Sequence, residues 1–118
     1  MQLRIDLTKL MKEKAMGETE ALATIKQDVE NNNIFLFMKG TPGQPQCGFS
    51  AQVVQVLNSY GVDYGARNVL EDWDIREGVK KFTNWPTIPQ LYVKGKFVGG
   101  CDIIMEMHRK DELKDVLS

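Results

Sequence analysis

Residues 34–57 read IFLFMKGTPGQPQCGFSAQVVQVL, and this stretch decides the fold. The run 34–38 is unbroken and apolar, which predicts a strand buried on both faces. Glycine and proline then predict a loop over 40–45. From Cys47 the sequence predicts an amphipathic helix that ends at Gly61. The apolar face of this helix carries Val53, Val54, Leu57 and Tyr60.

Further helices and strands are predicted on both sides of this stretch. Before it, apolar residues recur at i, i+3 and i+7 between Gly17 and the asparagines 31–33, which predicts a helix. These apolar residues are Leu22, Ile25 and Val29. After it, residues 62–69 predict a second strand, and Asp74 is a candidate cap for a third helix. The apolar face of that helix carries Ile75, Val79 and Phe82.

The C-terminal third predicts a hairpin and a last helix. Trp85-Pro86-Thr87-Ile88-Pro89 cannot be helical, because proline lacks the amide hydrogen that a helix needs. Lys94-Gly95 predicts a two-residue turn between strands over 90–93 and 96–98. A last amphipathic helical region begins at Ile103. The order α-β-α-β-α-β-β-α is typical of an α/β fold with a four-stranded mixed sheet flanked by helices.

Length, charge and cysteine count exclude several classes of protein. The 118 residues, 42% of them hydrophobic, suffice for one domain with one core. A net charge of -1 gives no reason to expect nucleic acid as a partner, and no apolar run approaches the ~18 residues of a membrane span. Two cysteines do not make a secreted disulfide framework, so we expect a reducing compartment.

The N-terminal segment does not resemble a leader peptide. Residues 1–17 lack a secretory hydrophobic region, and they contain acidic residues that organelle transit peptides avoid. They could be the remnant of a processed precursor or a mobile tail, and we expect a mobile extension of a domain over 18–118.

Cys47 is the main candidate for chemistry. It is predicted at a helix N-terminus, where free amides and the helix dipole stabilise an anion and lower the pKa of a thiol. Ser50 stands where a C-x-x-C pair has its second cysteine, so the usual internal disulfide cannot form. The alternative is a buried structural cysteine, which the polar loop before Cys47 argues against.

Four linked motifs follow one another along the chain: Phe37-Met38-Lys39-Gly40-Thr41-Pro42, Cys47-Gly48-Phe49-Ser50, Trp85-Pro86-Thr87-Ile88-Pro89-Gln90 and Gly99-Gly100-Cys101-Asp102. Together they resemble the motifs of the monothiol glutaredoxins of the C-G-F-S class. The single-domain length and the run 64–70 are most similar to mitochondrial members concerned with iron–sulfur clusters. The resemblance implies a thioredoxin-like (glutaredoxin) fold with a cis bond before Pro89. It also implies the mitochondrial matrix, with plastid and cytosol as alternatives.

The resemblance further implies a site for glutathione, a tripeptide with two carboxylates and one amine. The implied glutathione-binding residues are Lys39, Phe49, Arg76, Lys80, Thr87, Ile88, Cys101 and Asp102. The cations would face the glycine carboxylate, and residues 87–88 would pair with the cysteinyl backbone. The start of the last helix would bind the γ-glutamyl carboxylate, with Asp102 pairing the amine. Singly, each charged residue could equally be a surface charge; the motifs favour binding.

A [2Fe–2S] cluster requires four ligands, commonly thiolates. Cys47 offers one and bound glutathione another, so two chains with two glutathiones would complete the set and make the cluster the bridge of a homodimer. The resemblance implies the same arrangement, with cluster transfer to apo iron–sulfur acceptors and with BolA-type proteins as partners.

Two other functions remain open. Cys47 could be the catalytic nucleophile of a glutathione-dependent thiol–disulfide oxidoreductase. Members of this class are typically weak in that reaction, a property associated with the loop 41–46. A third possibility is a redox sensor in which Cys47 and Cys101 form a disulfide. Cys101 itself is either a structural cysteine or a resolving thiol. The lone histidine, His108, is expected to pack or lie on the surface rather than bind metal.

Overall fold

The computed structural model describes residues 17–118, so the predicted N-terminal extension, residues 1–17, lies outside that range except for Gly17. Within it, the helices are α1 (Glu18–Asn31), α2 (Gly48–Ser59), α3 (Trp73–Thr83), α4 (Cys101–Arg109) and α5 (Leu113–Leu117). The strands are β1 (Ile34–Met38), β2 (Gly40–Thr41), β3 (Gln44–Pro45), β4 (Gly65–Asn68), β5 (Gln90–Val93) and β6 (Lys96–Gly99).

Four of these strands form the central sheet in the order β4-β1-β5-β6. Strand β1 runs parallel to β4, with Met38 opposite Asn68, and antiparallel to β5, with Phe37 opposite Gln90. Strands β5 and β6 form a hairpin whose turn residues Lys94 and Gly95 have φ of 52° and 79°, as a type I′ turn requires. The mixed four-stranded sheet confirms the sequence prediction.

Helices cover both faces of this sheet, which explains why β1 is apolar throughout. All five residues of β1 are buried. Leu36 points into a core shared with Leu57 of α2 and Ile104 of α4. Phe37 points into the opposite core, which α1 and α3 close. Because side chains alternate along a strand, burial on both faces needs hydrophobic residues at every position.

The loop predicted over 40–45 is instead a small antiparallel ribbon. Strands β2 and β3 pair in it, with Gly40 opposite Pro45 and Thr41 opposite Gln44. Its strands have two residues each, so alternation of apolar and polar residues could not reveal them. The ribbon lies between β1 and Cys47, directly before the helix that carries the candidate site.

Two predicted boundaries were wrong. The second strand covers only 65–68, because it pairs with just four residues of β1, and a 3₁₀ turn (Val69–Glu71) follows at once. Helix α3 is capped by Asp72, whose carboxylate accepts the amides of Asp74 and Ile75 at 2.8 and 3.2 Å. Asp74 instead accepts the amide of Gly17 at 2.9 Å, which ties the start of α1 to the start of α3.

The buried face of α3 and the last helical region also differ from expectation. Phe82 is 40% exposed, and the buried residues of α3 are Ile75, Gly78 and Val79. The last region is two helices, because Asp111 between them has a positive φ of 60°. Among the described residues, no helix is both long enough and apolar enough to cross a bilayer.

Candidate functional site

Cys47 is the N-cap residue of α2, as the sequence predicted. Its backbone is extended, with φ of -149°, and its thiol is partly exposed and free. Just before it, the amide of Gln46 donates to the carbonyl of Lys39 at 2.9 Å and closes the base of the ribbon. The thiol is therefore held at the positive end of a twelve-residue helix.

The pKa of the Cys47 thiol lies below its ordinary value. Partial burial raises the pKa, but the backbone amides of Ser50 and Phe49, the ammonium of Lys39 and the hydroxyl of Ser50 together lower it by more. A lowered pKa enlarges the thiolate fraction at neutral pH, and the thiolate is the form that attacks disulfides and binds metal.

Ser50 has a role that the sequence did not reveal. Its side chain is fully buried, and its Oγ accepts the backbone N–H of Lys39 at 3.1 Å while also hydrogen-bonding the Cys47 sulfur. The hydroxyl thus joins the end of β1 to the start of α2. Sequence analysis treated this position only as a missing cysteine.

A cleft of about 390 Å³ lies beside Cys47, a size typical of small-molecule sites. All eight residues of the predicted glutathione-binding set line it. Cys47 lies at its edge, since Lys39 and Phe49 both line the cleft and both interact with the Cys47 sulfur. Phe49 is 59% exposed, so its ring forms an apolar rim.

Three cationic side chains line the cleft, although one of them, Lys80, already pairs with Glu77 at 3.0 Å. The part of the cleft that Lys39, Arg76 and Lys80 line is its cationic end. The Nε of Arg76 is buried and has no hydrogen-bond partner within residues 17–118. The guanidinium carbon lies 5.8 Å from the ring centre of the exposed Trp73, a cation–π contact. An unpartnered buried donor beside two ammonium groups fits a carboxylate.

Thr87 and Ile88 form a second wall of the cleft. The bond between Ile88 and Pro89 is cis. The side-chain amide of Gln90, fully buried, donates to the carbonyls of Trp85 and Thr87, each at 3.1 Å. Gln90 therefore supports this wall from behind. A polar residue at the start of a buried strand was the available signal for this role.

The start of α4 forms the remaining wall. Gly100 is the N-cap residue, and a Cβ there would lie 3.3 Å from both the Pro89 carbonyl and Trp85 Nε1. Asp102 is exposed, whereas Cys101 is buried and donates its S–H to Gln52 Oε1 at 3.2 Å. Burial raises the pKa of Cys101, and the charges of Asp102 and Cys47 raise it further, so this thiol stays protonated.

His108 lies on the surface, as expected. Its Nδ1 is 2.8 Å from the hydroxyl of Tyr60, and the two rings meet edge to face. In the described part of the chain, no group of three or more His, Cys, Asp and Glu side chains is placed to hold a metal ion.

Comparison with known sequences agrees with this geometry. A family model described as Glutaredoxin matches residues 34–98. Glutaredoxin-related protein 5, mitochondrial, from Danio rerio is 52% identical over 94 residues, which cover 79% of this chain and 61% of that protein. A monothiol glutaredoxin ycf64-like protein from Synechocystis is 51% identical over 98 residues, covering 83% of this chain and 92% of that protein. Four other curated relatives are longer, and this chain spans between 19% and 55% of their length.

Solved structures define the class. Reduced apo GrxS14 from poplar matches with a TM-score of 0.70 and 45% identity over 79% of this chain and 85% of that one. A buckwheat glutaredoxin–glutathione complex matches with a TM-score of 0.74 and 28% identity over 84% of this chain and 88% of that one. The fold is thus the thioredoxin-like fold of glutaredoxins. The chain belongs to the glutaredoxin family and, within it, to the monothiol glutaredoxins.

Proposed function

We propose that this chain binds glutathione in the cleft beside Cys47 and carries a [2Fe–2S] cluster that bridges two copies, for delivery to apo iron–sulfur proteins. The observation that carries the proposal is one activated, partly exposed thiol at the edge of a cleft with a cationic end. Domain boundaries at 18–118, the mitochondrial matrix and BolA-type partners are part of the same proposal. The mitochondrial names of several relatives support the compartment, with plastid and cytosol as alternatives.

The ligand count supports a shared cluster. Four ligands are needed, and thiolates are the usual ones. Cys47 is the metal ligand that we propose from this chain, because Cys101 is buried, protonated and bonded to Gln52. The described residues contain no group of three or more His, Cys, Asp and Glu side chains that could hold a metal ion without glutathione or a second copy. A glutathione thiol beside Cys47 and the same pair from a second copy would complete the set.

The charges of the cleft support glutathione as the source of that sulfur. The glycine carboxylate would meet Lys39, Arg76 and Lys80, where the unpartnered Nε of Arg76 offers a donor. The cysteinyl backbone would pair with Thr87 and Ile88. The γ-glutamyl carboxylate would bind the amides of Cys101 and Asp102 at the start of α4, with the Asp102 carboxylate near the amine. Phe49 would shield the sulfur from water on the open side.

Anaerobic reconstitution with iron, sulfide and glutathione tests the proposal. We expect visible charge-transfer absorption together with a dimer in size-exclusion chromatography. Without glutathione, and in Cys47→Ser with glutathione, both signals should be lost. Cys101→Ser is the matched control, since it removes the chain's other thiol from a buried position, and it should keep the cluster. A colourless monomer of the wild-type chain would overturn the proposal.

The lowered pKa of Cys47 also supports a second function, monothiol oxidoreduction. The Cys47 thiolate would attack the glutathionyl sulfur of a mixed disulfide, forming a Cys47–glutathione disulfide and releasing the substrate thiolate. A second glutathione thiolate would attack the same glutathionyl sulfur, releasing glutathione disulfide and restoring the Cys47 thiolate. Turnover of a glutathionylated peptide at the rate of a dithiol glutaredoxin, with no cluster formed, would favour this function over cluster transfer.

A further inference from the structure

One side chain connects the β2–β3 ribbon to the central sheet. Asn68 is the last residue of β4, and its Oδ1 accepts two backbone N–H groups at once. One belongs to Leu70 in the following 3₁₀ turn, at 3.0 Å. The other belongs to Gly40, 28 residues earlier in the chain, at 2.9 Å. The first bond is a local cap; the second joins the ribbon to the sheet.

The ribbon packs tightly around the residue that Asn68 holds. Gly40 has φ of 89°, and a Cβ at this position would lie 2.5 Å from the carbonyl oxygen of Gln44 and the nitrogen of Gln46. Any side chain there would clash with this backbone, and Gly40 is itself paired with Pro45 across the ribbon. A bond to the Gly40 amide therefore positions the ribbon as a whole.

The same bond completes the support of Lys39. The N–H of Lys39 donates to Ser50 Oγ at 3.1 Å, and its carbonyl accepts the amide of Gln46 at 2.9 Å. The next amide along the chain, that of Gly40, is the one that Asn68 accepts. Lys39 is thus held on both sides of its Cα. Its ammonium lines the cleft and acts on the Cys47 thiolate.

We propose that Asn68 is a positioning residue of the thiol site: through the Gly40 amide it fixes the ribbon and Lys39, and so sets the reactivity of Cys47 and the affinity of the cleft's cationic end. Asn68 does not line the cleft. It acts through Lys39. The part that concerns affinity rests on the proposed glutathione site, whereas the part that concerns Cys47 needs neither glutathione nor iron.

Two substitutions separate the two hydrogen bonds of Asn68. Asn68→Ser keeps a short acceptor that can cap Leu70, but it cannot reach Gly40. Asn68→Asp keeps an acceptor for both amides, and ~0.5 M salt screens its added charge. Asn58→Ala is the matched control. Asn58 lies on α2, outside the residues that line the cleft, and its Oδ1 accepts a hydrogen bond from the Tyr64 hydroxyl.

The readout is the rate of Cys47 alkylation by iodoacetamide at one fixed pH, with the modified cysteine identified by mass spectrometry. In Asn68→Ser we expect this rate to fall roughly twofold or more, because Lys39 is no longer held in place beside the sulfur. Faster hydrogen exchange at the Gly40 and Gln46 amides should accompany it. Asn68→Asp should restore the wild-type rate and exchange, and Asn58→Ala should keep both.

Two results would overturn the inference. One is an Asn68→Ser protein that exchanges the Gly40 amide rapidly yet keeps the wild-type alkylation rate. The other is an unchanged Gly40 exchange rate in that variant. Glutathione affinity, measured by calorimetry, should fall about threefold in Asn68→Ser. If the wild-type chain binds no glutathione while alkylation still depends on Asn68, the proposed function fails and the role of Asn68 in thiol reactivity stands.

Discussion

The hydroxyl oxygen of Ser50 lies 3.1 Å from the backbone nitrogen of Lys39 and accepts its N–H, eleven residues away in the chain. The same hydroxyl hydrogen-bonds the Cys47 sulfur. Because a hydroxyl accepts and donates at once, a serine can serve both neighbours. The residue that replaces a second cysteine is therefore part of the thiol site.

Ser50→Ala should destabilise the fold and weaken the thiolate. It leaves the Lys39 amide without its acceptor at a fully buried position, which costs about 1–3 kcal/mol of unfolding free energy. It also removes a hydrogen bond to the sulfur, so the pKa of Cys47 should rise. Urea unfolding and the thiolate absorbance near 240 nm measure the two effects.

Ser59→Ala is the control for this change. Ser59 donates to the Val56 carbonyl at the far end of α2, so its loss should leave the Cys47 titration unchanged. If the pKa of Cys47 were the same in Ser50→Ala and wild type, the hydroxyl would have no part in activating the thiol.

Stability should depend on pH through Cys47. Its folded-state pKa lies below the value of about 8.5 in an unfolded chain, so between the two the unfolded chain holds more protons. The unfolding free energy of wild type minus that of Cys47→Ser should therefore grow as pH rises through this window, and fade below the folded pKa. The pKa of Cys101 is shifted in the opposite sense, and the parts of that shift caused by burial and by Asp102 are common to both proteins and cancel. Denaturant curves between about pH 6 and about pH 9 measure the difference; a flat or falling difference contradicts the lowered pKa.

Arg76→Lys should weaken glutathione binding about tenfold, although the charge is kept. A lysine offers neither the buried Nε donor nor the forked geometry that binds a carboxylate, and such charged hydrogen bonds contribute about 1.5–3 kcal/mol. Isothermal calorimetry measures the affinity. Arg109→Lys, on the exposed end of α4 beside Glu106, is the control and should bind as wild type does. Equal affinities of both variants would show that Arg76 does not contact the carboxylate.

Gly40→Ala should lower the free energy of unfolding by about 2–4 kcal/mol, because it combines a positive φ with a clash against backbone atoms. Two controls separate these terms. Gly61→Ala has a positive φ of 65° but meets no described atom within 4 Å, so it should cost about 1 kcal/mol. Gly43→Ala, in the same ribbon segment with open space among the described residues, should be nearly neutral. If Gly40→Ala lost no more unfolding free energy than Gly61→Ala, the ribbon backbone would have to shift to make room for the added Cβ.

The elements that local pattern could reveal were predicted well. The unbroken apolar run of β1 indicated burial on both faces, and the spacing in α2 gave its buried side. The choice of cap on α3 could not be made from sequence, since Asp72 and Asp74 are both acidic and both stand near its start. Only the structure shows that the Asp74 carboxylate accepts the amide of Gly17 instead of capping α3.

The site shows the same division between local and long-range information. The eight glutathione-binding residues were predicted from motifs that resemble those of a family, and all eight line the cleft. Asn68 and Ser50 were missed as supports because their bonds to Gly40 and Lys39 span 28 and 11 residues. Neither hydrophobic periodicity nor secondary-structure propensity can predict hydrogen bonds between residues so far apart in the chain. Gln90 was missed in its supporting role, although an amide side chain inside a buried strand was a visible signal.

The glycine that caps α4 affects how ligand binding in the cleft can change as the sequence evolves. At Gly100 the main chain itself meets the cavity, and a Cβ there would lie only 3.3 Å from Trp85 Nε1 and from the Pro89 carbonyl, so a side chain would fit only if these neighbours moved. A carboxylate bound there would accept hydrogen bonds from peptide amides, which every residue type except proline provides. Substitutions on neighbouring positions can then tune affinity at the cationic end while the opposite end keeps its chemistry, so the two ends of one cleft can drift independently.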